Sequence, residues 1–326
     1  MRTQRRTLLV LTVITALLLA GCGVTRGGDE HGLHRLRMMV PNSPGGGYDL
    51  TARTAVKIME DDDITGRVEV FNVIGAGGTV AMARLMNERG NDDLMMTMGL
   101  GVVGATYTNG SKIKASDATA LAKLIEDPGA IFVPADSPFK TVQDFVAAWK
   151  ADPASITIGG GSSPGGPDHL FPMETARAVG VDPRTVNFVT YDGGGDLLTA
   201  LLGKKIAAGT SSPGELIDQI EAGQLRVLAV SSEERVPGID APTLKESGID
   251  LTFANWRGVL APPGISDDAK EAMIKVLEKL HDSAGWKDAL VKNGWTDAFV
   301  TGEEFERFLV EQDNRVSTTL TELGLL

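Results

Sequence analysis

One local pattern recurs along this chain and limits how it can fold: an apolar run, a glycine-rich turn, and then a helical pattern. It first appears where MMV (38–40) leads through PNSPGGGY (41–48) into DLTARTAVKIME (49–60), and it recurs at turns 75–78, 159–166 and 192–195. Strands that alternate with helices predict an α/β fold with mostly parallel sheets. In a chain of 326 residues, one series before about residue 132 and another after about residue 140 predict two lobes.

Composition and charge exclude several classes of function. The formal net charge is −12, and a negative field repels nucleic acid, so no nucleic-acid partner is expected. The single cysteine cannot form an internal disulfide, and four histidines without HExxH or paired-cysteine spacing predict no metal site. We therefore expect no metal, and we also expect no cofactor and a monomeric protein.

The first 22 residues have the layout of a secretory signal. A basic segment (2–6) precedes an apolar run (7–20) that is shorter than the roughly 20 residues of a spanning helix, and LAGC ends at Cys22. LAGC resembles the bacterial lipobox, which implies cleavage before Cys22 and lipidation there. The prediction is a signal peptide over 1–21, a tether over 22–33, and a membrane anchor at Cys22.

Glycine turns before helices can also bind anions. Glycine leaves no Cβ in the way, and a helix that begins there points unpaired N–H groups and a partial positive charge at one spot. Asp49 is predicted to cap the first of these helices. Two of the three tyrosines, Tyr48 and Tyr191, flank such turns, and Tyr107 lies just past GLGVVG (99–104); each could contact a ligand or pack at the core edge.

The sequence matches known enzyme motifs only in part. GLGVVG matches GxGxxG after a strand, but Val102 and Val103 do not clearly open a helix, and no P-loop GK[ST] is present. GSSPG (161–165) matches GxSxG with Ser163 as nucleophile, yet the next residue, Pro164, has no N–H for an oxyanion hole. The acidic run EDDD (60–63) lacks EF-hand spacing and predicts a solvated loop.

Several segments together resemble one family, the Bug-type substrate-binding receptors of the tripartite tricarboxylate transporter system. They are VPNSPGGGYDLTAR, NVIGAGGTVA, GGGSSPGGPDHL, YDGGGDLLTALLGKKIAAG, IEAGQLRVLAVSSEERVPGIDAPTLKESGID and NWRGVLAPPGIS, which occur in family order. The resemblance implies a two-lobed Venus-flytrap fold of periplasmic-binding-protein type II. It also implies a non-enzymatic, extracytoplasmic receptor that delivers a small tricarboxylate or dicarboxylate to a membrane permease.

The resemblance also implies domain limits and a site. Lobe one would be 34–132 plus 257–326, and lobe two 133–256. Family members hold a carboxylate on two loops, here 44–49 and 161–169. With the glycine turns, this gives the candidate ligand-binding residues Pro44, Gly45, Gly46, Gly47, Tyr48, Asp49, Gly77, Gly161, Ser162, Ser163, Gly165, His169, Tyr191, Asp192 and Gly193.

Two alternatives remain at this point. One is a serine hydrolase that uses Ser163, and the other is a receptor of the same fold that serves a sensor kinase. His169, in the first turn of a predicted helix, could donate to a ligand or simply lock its loop.

Overall fold

Two β-sheets organise the chain. The computed structural model describes residues 35–191 and 193–326. The predicted signal peptide, tether and lipidated Cys22, together with Asp192, lie outside these ranges. Among the described residues, no helix is both long enough and apolar enough to cross a bilayer.

The first sheet has six strands in the order β11-β4-β10-β3-β1-β2. Its strands are β1 (Arg37–Val40), β2 (Glu69–Asn72), β3 (Leu94–Gly99), β4 (Thr119–Pro128), β10 (Ala254–Ala261) and β11 (Thr296–Thr301). β1 runs parallel to β2 and β3, whereas β10 is antiparallel to β3 and β4. After Arg37, strand β1 is a continuous apolar run, and Met38, Met39 and Val40 are fully buried, as expected for a strand covered on both faces.

The second sheet has five strands in the order β7-β6-β8-β5-β9. They are β5 (Ala130–Pro134), β6 (Thr157–Gly160), β7 (Asn187–Thr190), β8 (Ala208–Ser211) and β9 (Leu225–Val230). The chain passes from the first sheet to the second at Gly129 and returns between 231 and 253. Ser231 ties the two crossings together: its N–H donates to the Gly129 carbonyl, and its hydroxyl donates to that of Phe253.

Ten α-helices surround the sheets in the described part of the chain. They are α1 (Gly47–Asp61), α2 (Thr79–Asn87), α3 (Leu100–Thr108), α4 (Val142–Ala151), α5 (Pro167–Ala178), α6 (Gly194–Leu202), α7 (Ile217–Glu221), α8 (Asp267–Asp282), α9 (Ala284–Asn293) and α10 (Gly302–Glu322). The predicted α/β fold with two sheets is confirmed. The expectation of mostly parallel sheets was wrong, because β4, β5 and β10 run against their neighbours and make five of the nine described strand pairings antiparallel. A capping box begins α4, with the Thr141 side chain accepting from the Asp144 N–H.

Two local predictions were wrong, and one strand was not predicted. Helix α1 begins at Gly47 with Gly46 at its N-cap, so Asp49 lies inside the first turn and its carboxylate accepts from the Gly45 N–H. GLGVVG does open a helix, α3, which starts directly after β3. Strand β11 was missed, because TDAFVT has little of the apolar pattern that marks a buried strand and pairs only along the sheet edge.

Candidate functional site

A cavity of about 650 Å³ lies between the two sheets. Four glycine turns border it, and each leads from a strand into a helical turn. They contribute residues around Gly46, Gly77, Ser162 and Gly194. Parallel strands of an α/β sheet present their carboxyl ends to such a crevice, so the fold brings turns distant in sequence to one place.

Two helices, which follow strands of different sheets, present uncapped N-termini to this cavity, and the first residue of each lies near the Glu215 carboxylate. No side chain caps α1 at Gly46 or α6 at Gly193 within the described residues, and both turns line the cavity. Their first-turn N–H groups therefore keep hydrogen-bonding capacity for a ligand. An anion placed between them would meet the positive ends of two helix dipoles.

The loops before α1 and α5 each bind two of their own amides, since the N–H groups of Gly45 and Gly46 donate to Asp49 and the Ser43 carbonyl. The α5 loop differs only in binding a first-turn amide as well. Ser162 Oγ accepts from the Asp168 N–H, and the Ser163 carbonyl accepts from the Gly166 N–H. His169 Nδ1 accepts from the Gly165 N–H at 3.0 Å. This loop shapes the cavity wall and offers fewer free amides than its glycine content predicts.

His169 locks the loop from behind. It is 8% exposed, stacks on Phe188 with ring centroids 4.6 Å apart, and does not line the cavity. Burial lowers the pKa of His169 to about 4, so the ring is neutral and can accept from Gly165. Of the two roles left open by the sequence, the geometry matches the structural one.

Most of the candidate residues do border the cavity. They are Pro44, Gly45, Gly46, Gly47, Tyr48, Gly77, Gly161, Ser162, Ser163, Tyr191 and Gly193. Asp49, Gly165 and His169 do not. Asp49 is held away by hydrogen bonds with Arg53 and Asn72. Burial opposes its ionisation, but these bonds and the one from Gly45 lower the pKa of Asp49 overall.

Tyr48 closes the floor of the cavity. Its Oη accepts from the Val102 N–H at 3.3 Å, at the start of α3, and its own O–H can still donate. Burial raises the pKa of Tyr48 to about 12, with the charge of Arg257 opposing the rise. The phenol is therefore a neutral donor at physiological pH. Tyr107 lies outside the lining.

A buried charge cluster, which sequence reasoning missed, also lines the cavity. Arg257 of β10 has a 3% exposed side chain, and its Nη2 lies 2.9 Å from Asp127 Oδ2 and 3.1 Å from Glu215 Oε1. Ser212 Oγ donates to Asp127 Oδ1. An arginine inside the apolar strand segment NWRGVLA was the available signal, since such a charge is buried only when it is paired.

The cluster joins the two sides of the cavity. Arg257 and Asp127 come from the six-stranded sheet, whereas Glu215 and Ser212 follow β8 of the five-stranded sheet. Helix α3 meets the opposite side too, where Thr108 Oγ1 donates to the Pro164 carbonyl at 3.0 Å. The cavity is therefore held between two parts that contact each other directly.

Comparison with known proteins places these features in context. A family model described as tripartite tricarboxylate transporter family receptor matches residues 52–325. The UPF0065 protein in the gbd 5′ region of Cupriavidus necator is 27% identical, over 97% of this chain and 95% of that protein.

Solved structures show the same fold. A TctC solute-binding protein from Polaromonas, solved with no ligand, has a TM-score of 0.67 and 27% identity, over 88% of this chain and 98% of that one. Rpa4515 of R. palustris, solved with adipate, has a TM-score of 0.79 and 20% identity, over 89% of this chain and 97% of that one.

Proposed function

Because the chain belongs to the tripartite tricarboxylate transporter receptor family, we propose that it captures a small organic carboxylate between its two sheets and delivers it to a membrane permease. The family consists of solute receptors, not enzymes. The Ser163 hydrolase hypothesis has no support in the geometry either, since His169 is committed to the Gly165 N–H.

The observation that carries the proposal is the pair of uncapped helix N-termini, α1 and α6, which follow strands of different sheets and line one cavity. A carboxylate that bridges them would receive N–H donors from both helices at once. Binding would then favour the arrangement in which the two parts are close, which is how hinged receptors couple capture to closure. We propose the two sheet-bearing parts as the moving lobes, with the crossings at Gly129 and Ser231 as the hinge.

Further parts of the proposal concern location and partners. The protein would be an extracytoplasmic monomer, anchored by lipid at Cys22, with permease subunits as its membrane partner. Rpa4515, which shares the fold, was solved with adipate. The cavity of about 650 Å³ lies within the usual volume range of small-molecule sites, so it can hold a dicarboxylate of that size.

A proline substitution at the start of α6 tests the role of the amides. Gly194 is the first residue of this helix, where proline is tolerated because its missing N–H is unpaired within the helix. Gly194→Pro should leave thermal stability nearly unchanged but weaken carboxylate binding about tenfold, the value of one hydrogen bond to a charged group.

Asp267→Pro is the matched control, because Asp267 is the exposed first residue of α8, outside the cavity lining. Binding is measured by calorimetry with citrate, tricarballylate and adipate. The proposal fails if no organic carboxylate binds the unaltered protein, or if Gly194→Pro and Asp267→Pro bind equally well.

A further inference from the structure

The cavity carries more negative charge than a receptor for simple polycarboxylates needs. Its described lining contains four carboxylates, Asp127, Asp168, Asp196 and Glu215, and one cation, Arg257. Within the described residues, no group of acidic, histidine or cysteine side chains is placed to hold a metal ion. The excess negative charge therefore needs another explanation.

The arginine does not neutralise this excess. Both Asp127 and Glu215 lie within ion-pair distance of the same Arg257 Nη2. The guanidinium charge is thus shared between two carboxylates before any ligand arrives. A ligand that is only an anion would add to an unfavourable field near the cluster.

Two lining carboxylates, Asp196 and Asp168, form no ion pair within the described residues; Asp196 is exposed, and Asp168 is the less exposed of the two. Asp168 lines the cavity at the start of α5, and in the described part of the chain no lysine, arginine or histidine nitrogen forms an ion pair with it. Its carboxylate accepts from the Gly161 backbone N–H. Burial, and next the charge of Glu215, raise the pKa of Asp168 well above its usual range, although the charge of Arg257 opposes the rise. A cationic ligand group beside it would relieve this cost.

Two deeply buried polar atoms of the same wall also lack hydrogen-bond partners. One is Arg257 Nε, on a residue that is 2% exposed, and the other is Asp127 Oδ2, on a residue that is 1% exposed. Asp127 Oδ2 is near the guanidinium but does not have hydrogen-bond geometry with it. Both atoms are shielded from solvent, so a ligand can pair with them only if the cluster rearranges when the ligand binds.

We infer that the receptor takes an amino-carboxylate, a ligand with at least one carboxylate and a protonated amine. The inference rests on the proposed function, since the carboxylate binds at the N-termini of α1 and α6. The ammonium group lies on the acidic side of the cavity and donates to Asp168. Such a ligand adds a positive charge where the cavity has an unpaired carboxylate, and a dicarboxylate does not.

Three ligands with the same six-carbon chain distinguish a receptor for dicarboxylates from a receptor for amino-carboxylates. Adipate carries two carboxylates, 6-aminohexanoate replaces one of them by an ammonium group, and 2-aminoadipate carries both. Calorimetry at pH 7.5 should show one of the amine-bearing ligands binding at least about tenfold tighter than adipate, the value of a charge-assisted hydrogen bond. Asp168→Asn keeps the size and an acceptor oxygen, and should reduce this preference to about twofold or less.

Asp240→Asn is the control, because Asp240 is an exposed carboxylate outside the cavity lining. It removes one charge and should keep the preference of the unaltered protein, and melting temperatures confirm that both variants fold. Adipate binding as tightly as both amino acids would overturn this inference and leave the proposed function intact. A preference that survives Asp168→Asn would also overturn it, whereas failure of every carboxylate to bind would overturn the proposed function itself.

Discussion

Arg257 and Glu215 form an ion pair across the cavity, with Nη2 and Oε1 3.1 Å apart, although they belong to parts of the chain built on different sheets. Gly47 lies against this pair, since a Cβ on Gly47 would come within 2.3 Å of Arg257 Nη2 and 2.6 Å of Glu215 Oε1. The start of α1 therefore touches the charge cluster directly. The residues at the start of α1, where we propose that the ligand binds, therefore lie beside the ion pair that connects the two sheet-bearing parts.

Replacing the arginine should destabilise the fold. Arg257→Met leaves Asp127, whose side chain is fully buried, without its counter-charge, and removal of one partner of a buried pair costs about 3–5 kcal/mol. The measurement is the free energy of unfolding in urea at pH 8 and pH 5. The loss should be smaller at pH 5, because burial already raises the pKa of Asp127 to about 6 and protonation removes the unpaired charge.

Arg177→Met is the control for this experiment. Arg177 pairs with Glu322 at 2.9 Å, but both side chains are more than half exposed, so the loss should be below about 1 kcal/mol. Equal losses for Arg257→Met and Arg177→Met would contradict the importance of the buried cluster.

A second prediction concerns the contact of α3 with the opposite loop. A Cβ on Gly104 would lie 1.8 Å from the Gly165 carbonyl oxygen, which is backbone and cannot move alone. Gly104→Ala should therefore prevent full closure, weaken ligand binding at least about tenfold, and abolish ligand-induced compaction in small-angle X-ray scattering. The helix itself should not suffer, since alanine is the better helix former by about 0.5–1 kcal/mol.

Gly285→Ala, near the start of α9, is the matched substitution. There a Cβ would lie 3.1 Å from the Ile58 Cγ2 methyl group, a side-chain contact and not a backbone one, and Gly285 does not line the cavity. We expect unchanged affinity and compaction for this variant. Normal compaction in Gly104→Ala would show that closure does not need the close approach of α3.

The glycine turns could be predicted from sequence because their signal is local. An apolar run, glycines and a helical pattern within about 15 residues predicted the turns around Gly46, Gly77 and Gly194, and all of them border the cavity. The two-sheet α/β fold followed from the same alternation. Short sequence patterns of this kind indicate which strands and helices form and at which turns the backbone can approach a ligand.

The charge cluster could not be predicted in this way, because its members are far apart in sequence. Asp127, Glu215 and Arg257 come from different elements, and only the pairing of β10 with β4 brings Arg257 beside Asp127. The internal bonds of the α5 loop were hidden for a related reason. Whether an amide is free depends on which side chain folds back onto it, as Ser162 does to Asp168.

The anchor prediction can be tested in cells. Cys22→Ala removes the sulfur that would carry the lipid, so the protein should move from the detergent phase to the aqueous phase of a cloud-point extraction. Gly23→Ala, one residue further on, should leave the partition unchanged. A Cys22→Ala protein that stays in the detergent phase would show that something other than lipid on Cys22 holds it.

The buried His169 should make a measurable contribution to the pH dependence of the unfolding free energy. Burial lowers the pKa of His169 from 6.5 to about 4, so between these values the unfolded chain binds a proton that the folded protein does not. Stability is therefore lost as the pH falls from 6.5 towards 4, by about 3 kcal/mol in total.

His169→Asn keeps an acceptor for the Gly165 N–H but does not titrate. The unfolding free energy of the unaltered protein, minus that of His169→Asn, should fall by about 2–3 kcal/mol between pH 7 and pH 4.5 in urea titrations. Burial raises the pKa of Asp127 to about 6, which acts in the opposite direction, but this group is present in both proteins and cancels in the difference. A difference that stays constant with pH would mean that His169 titrates normally and does not lock the loop as a neutral acceptor.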